Sequence, residues 1–111
     1  MKTTATIIRA DGTEEQRELD WPHEPGYHAI RDLVKPVLGA GRFLEHVAVL
    51  HEGQRTDMFV DDSGLLDGLP RNEKATAIYR NNVLTHEPGT DPESLPHIAG
   101  TAILMSRRVW F

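Results

Sequence analysis

The sequence predicts an α+β domain: a single mixed β-sheet with helices on one face, in the order β-β-α-β-β-α-β. The closest common arrangement is β-grasp-like, with the first helix packed across the sheet and the last strand entering its centre. Three observations carry this. Asp11-Gly12 lies between two strand-like runs, a strong short hairpin signal. Ile30, Leu33, Val34, Val37 and Leu38 recur at helical spacing. A second pair of strand-like runs, Phe43 to His51 and Thr56 to Val60, then leads to a second short helix. A ferredoxin-like sandwich needs β-α-β before its hairpin, and the Asp11-Gly12 hairpin argues against it.

Thr3 to Arg9 is β-branched and apolar and reads as the first strand. Gln16 to Trp21 alternates, with Arg17, Leu19 and Trp21 against Gln16, Glu18 and Asp20, so one face is buried and the other wet. Pro22-His23-Glu24-Pro25-Gly26 is a turn-rich connector. In the helix that follows, Pro36 lies opposite the apolar stripe and removes the bond to the Asp32 carbonyl, which predicts a kink or a split. Gly39-Ala40-Gly41 ends it. Phe43 to His51 carries apolar residues on both faces, the pattern of an interior strand. Thr85 to Pro96 is rich in proline and carboxylates and reads as an exposed loop. Ile98 to Met105 is the last strand, with Gly100 marking a bulge or a close backbone approach.

The densest turn chemistry runs from Asp61 to Tyr79. Asp61 and Asp62 can accept from backbone N–H groups within a turn, and Gly64 and Gly68 supply turn conformations. Pro70 holds Leu69 extended. Asn72 stands where a helix N-cap belongs, able to accept from the N–H of Lys74 or Ala75, with Glu73 at the positive end of the helix dipole. Ala75, Ile78 and Tyr79 mark the apolar face, and Asn81-Asn82 is the expected stop. Gly64-Leu65-Leu66, Gly68-Leu69-Pro70, Asn72, Ala75-Thr76 and Tyr79 together resemble a family of small phage, plasmid and bacterial proteins catalogued as a domain of unknown function. The resemblance implies a strand pair, a helix, a strand pair, a Leu-Pro-x-Asn-x-x-Ala-Thr motif and a final Gly-containing strand. It implies a compact accessory domain and transfers no catalytic residue.

At 111 residues the chain has the length of one domain. It has no cysteine, which excludes disulfides, thiolate metal sites and cysteine nucleophiles and fits a cytoplasmic setting. A formal charge of −5 argues against general nucleic-acid binding. No signal peptide is legible after Lys2, and no apolar run reaches the length of a membrane span.

Six histidines, His23, His28, His46, His51, His86 and His97, invite a metal reading, but none has a His-Glu-x-x-His spacing. His46 and His51 fall on opposite faces of a strand, while His23 and His28 flank a turn. Asp57, Asp61, Asp62 and Asp67 lack the EF-hand spacing, and turn stabilisation is the simpler role. Ser63, Ser94 and Ser106 sit in no nucleophile elbow, and no Gly-rich phosphate loop appears. No catalytic residue, metal ligand or cofactor is therefore expected.

The reading is a non-enzymatic binding or regulatory accessory protein of phage or mobile-element type with an unknown protein partner. The candidate surface joins Asp61, Asp62, Arg71, Asn72 and Lys74 with Trp110 and Phe111. The alternative is a small enzyme or ligand-binding protein for an anionic small molecule, anchored by Arg71, Lys74 and the helix N-terminus. Val109-Trp110-Phe111 must either fold back onto the domain or meet its counterpart in a homodimer.

Overall fold

The computed structural model describes residues 2–111. The elements are β1 (Lys2–Ile8), β2 (Glu14–Asp20), α1 (Tyr27–Leu38), β3 (Leu44–His51), β4 (Gln54–Asp61), α2 (Glu73–His86) and β5 (Ala102–Met105), with one 3₁₀ turn at Pro92–Ser94. The strands form one five-stranded sheet in the order β2-β1-β5-β4-β3. The last strand does enter the centre, between β1 and β4.

Every pairing is antiparallel, so the sheet is not mixed as expected. Two hairpins supply the outer pairs. β5 runs against both β1 and β4, because its entry from α2 reverses the chain. α1 links the two edge strands, β2 and β3, which never touch.

The helices also depart from expectation: they cover opposite faces. Ile30, Leu33 and Val34 of α1 pack on Ala5, Ile7, Phe59, Ile103 and Met105. Ala75 and Ile78 of α2 pack on Ile8, Met58, Val60, Ala102 and Leu104. Alternation along a strand separates the two sets. Met58 and Phe59 are adjacent in β4, fully buried, and committed to different clusters. Burial of a side chain of this size contributes roughly 1.5–3 kcal/mol, so neither face can be left bare.

β3 is an edge strand, not the interior strand its two apolar faces predict. Both faces are apolar because a helix flanks each. Its free edge is partly closed by α2, which runs past the expected stop at Asn81-Asn82. The Asn82 side chain accepts from Leu50 N at 2.8 Å and donates to Ala48 O at 3.3 Å. Pro36 does not split α1; it falls in the last turn. β5 begins at Ala102 rather than Ile98 because Gly100 adopts a φ of 87°, outside strand geometry. A side chain at Gly100 would also press on Leu69, whose Cδ1 lies 2.9 Å from the Cβ position.

Candidate functional site

The candidate residues fall into two groups, set at opposite ends of α1. Trp110 and Phe111 lie at the helix start. The Asp61–Asn72 loop lies beyond the helix end, where Asp62 N donates to Phe43 O at 3.1 Å and Lys35 Nζ stands 4.7 Å from the Phe43 ring centroid. The two halves of the expected surface are therefore not contiguous.

The first group is organised by Asp57, a residue that turn chemistry does not explain. Its carboxylate points from β4 toward the α1 face and is 0% exposed. Oδ2 accepts from Val109 N at 2.7 Å and Trp110 N at 2.8 Å. Oδ1 lies 2.7 Å from His46 Nε2, and Arg55 Nη2 stands 3.7 Å away. Two backbone N–H groups and an imidazole thus compensate a carboxylate that would otherwise be stranded in the core. The clamp holds Val109 in the α1 cluster and lays Trp110 flat against His46, with centroids 4.8 Å apart and planes 11° apart. Tyr27 meets Trp110 edge-on at 6.2 Å.

Arg107 secures the approach to this clamp. It donates to Thr3 Oγ1, His23 O and Pro22 O, each at 2.9 Å, tying the C-terminal segment to the connector before α1. The segment thus folds back onto its own chain, as one of the two expectations had it. Phe111 remains half-exposed, with His23 5.0 Å away and the Arg108 guanidinium 4.7 Å from its ring. Glu24, Tyr27, Ile30, Val109, Trp110 and Phe111 enclose a cleft of about 260 Å³.

In the second group, Asp61 is buried and works within the loop: its Oδ1 accepts from Ser63 N at 3.0 Å. Arg42 bridges Asp61, at 3.5 Å, and Asp67. Asn72 is 1% exposed, so it presents nothing to a partner. It caps α2 as expected, accepting from Ala75 N at 3.0 Å, and its amide also donates to Ile8 O and Gly100 O at 2.9 Å each. Arg71 pairs with Glu73 at 2.8 Å and Lys74 pairs with Glu14. Both cations of the anion-binding alternative are thus engaged within the chain. Asp62 is exposed and forms no ion pair among the described residues.

The histidines do not converge. Among the described residues no group of three or more histidine and carboxylate side chains is placed to hold a metal ion. No helix among them is long and apolar enough to cross a membrane. Sequence reasoning missed Asp57, His46 and Tyr27 as parts of one arrangement. The available signal was a lone carboxylate directly before the apolar run Met58-Phe59-Val60, in a strand where a buried charge needs partners brought from elsewhere in the chain. A scan against models of known protein families and searches against curated proteins and solved structures matched nothing.

Proposed function

We propose that the protein is a non-enzymatic binding or regulatory accessory protein whose recognition surface is the aromatic cleft at the start of α1. The observation that carries this is the Asp57 clamp. It fixes Trp110 between His46 and Tyr27, while the rings of Tyr27 and Phe111 stay about half exposed. Aromatic side chains held rigidly at a concave surface lose little freedom on binding and dominate protein–protein contacts. The partner on this reading is a protein segment with an apolar anchor for the cleft.

The resemblance over Gly64 to Tyr79 supports placing the protein among small accessory proteins of phages and mobile elements, and a chain without cysteine fits action in the cytoplasm. A β-grasp-like description rests on the hairpin–helix–hairpin order and the central last strand. The test is affinity capture from the cell of origin, with wild type and a Tyr27→Ala/Phe111→Ala variant immobilised in parallel. Both rings are about half exposed and neither belongs to a core cluster, so the fold should survive the change. A protein retained by wild type and lost from the variant supports the cleft. Identical retention by both refutes it.

A further inference from the structure

The two most exposed large apolar side chains, Leu66 and Phe43, lie at the other end of the molecule. Phe43 is 60%, Leu65 49% and Leu66 91% exposed. At the aromatic end the exposed rings already touch Trp110, His23 and Arg108; Leu66 has no such cover. We propose that this end is the interface of a symmetric homodimer, in which Leu66 of each copy seats beside Gly39–Gly41 of the other. The proposal does not depend on the aromatic cleft.

The loop that carries Leu66 is pre-formed. Asp67 N donates to Ser63 O at 2.9 Å and Leu69 N to Gly64 O at 3.0 Å, while Arg42 holds Asp61 and Asp67 from outside. Gly64 backs onto the Ala99 carbonyl so closely that an added Cβ would lie 2.5 Å from its oxygen. A rigid loop displays its tip without an ordering cost at the moment of contact.

The receiving surface is at the same end. An open groove of about 540 Å³ runs past the Arg31–Asp32 ion pair, at 3.3 Å, then Lys35 and Gly39, Ala40 and Gly41, and the three small residues leave room for an incoming leucine. Charge selects a second copy as the occupant. On the side of the Leu66 loop, Asp62 and Glu45 border a shallow recess that Leu65 also lines. Lys35 borders the groove side. Among the described residues none of these three is in an ion pair; Lys35 rests only over the Phe43 ring. A two-fold axis brings each unpaired carboxylate toward the unpaired lysine of the other copy, and every such contact forms twice.

Sedimentation velocity across a wide concentration range tests this. Wild type is expected to dimerise, and Leu66→Asp to raise the dimer dissociation constant about 30-fold, the usual effect of losing a hot-spot residue. Leu66 is almost fully exposed and belongs to neither core cluster, so the far-ultraviolet circular dichroism of the variant should match wild type. Asp62→Lys and Lys35→Asp should each weaken the dimer, and the double variant should recover it. A wild type that stays monomeric at its solubility limit overturns the proposal. So does a Leu66→Asp variant that dimerises like wild type, or a double charge variant weaker than both singles. A dimer that persists in Leu66→Asp but dissolves in Tyr27→Ala/Phe111→Ala also overturns it and moves the interface to the aromatic end.

Discussion

Replacing Asp57 by alanine orphans two amides at once. Val109 N is buried and has only Asp57 Oδ2 as acceptor; Trp110 N is half-buried and uses the same oxygen. An unsatisfied buried donor costs about 1–3 kcal/mol, and the half-buried one less because water can reach it. The His46 bond at 2.7 Å is lost too. Against this, removal of the buried carboxylate relieves its desolvation. The net expectation for Asp57→Ala is a loss of about 3 kcal/mol. Asp57→Asn keeps an oxygen where both amides donate, so its expected loss is about 1 kcal/mol. Urea melts give both values, and hydrogen exchange at the Val109 and Trp110 amides locates the damage. In the alanine variant these two amides should exchange far faster than those of β4 and β5. If the two variants fall within about 0.5 kcal/mol of each other, the clamp is not what holds the segment down.

Asn72→Ala removes the α2 cap and leaves the Ile8 and Gly100 carbonyls without their side-chain donor, so it should cost about 3 kcal/mol in a urea melt, well above a cap alone at about 1 kcal/mol. Gly64→Ala drives a methyl into the Ala99 carbonyl and should lower stability by about 1–3 kcal/mol; a thermal midpoint equal to wild type would show that the loop has room. A chelator should leave the melting temperature unchanged, since bound metal would add directly to folding stability. Hydrogen bonds from Thr13, side chain first and then backbone, hold Asp11 below its ordinary 3.8, and Arg9 followed by Arg17 holds Glu15 below 4.5. Their contribution is present above those values and is lost as pH falls through the lower folded ones. Carboxyl titration by NMR should therefore place both midpoints below the reference values, and Glu15→Gln should reduce the loss of stability on acidification.

Local chemistry in the sequence was enough to place the hairpins, both helices and the Asn72 cap, because each depends on neighbours a few residues apart. The faces of the sheet were harder. Met58-Phe59-Val60 shows that β4 is buried on both sides, but Phe43 to His51 also carries apolar residues on both faces over a longer run and therefore reads as the interior strand. What made β3 look interior was α2, whose Tyr79 and Asn82 lie more than two dozen residues further on. The candidate site fared likewise. The need to cover Trp110 was legible from its chemistry. Its actual cover depends on Asp57 and His46, whose meeting with Val109 and Trp110 is set by tertiary register alone.

The central position of β5 has a consequence for how the chain folds. The two hairpins share no ladder except through Ala102–Met105, and the β1–β5 pairs join residues nearly a whole chain apart, such as Ala5 with Met105. Each hairpin alone has one helix and at least one bare face, a marginal unit in water. During synthesis, an emerging chain can form turns and helices but cannot seal its sheet until the last strand has left the ribosome. Closure of so distant a pairing is entropically slow. Folding should therefore wait for β5 and be all-or-none, with β4 the strand most in need of protection until then.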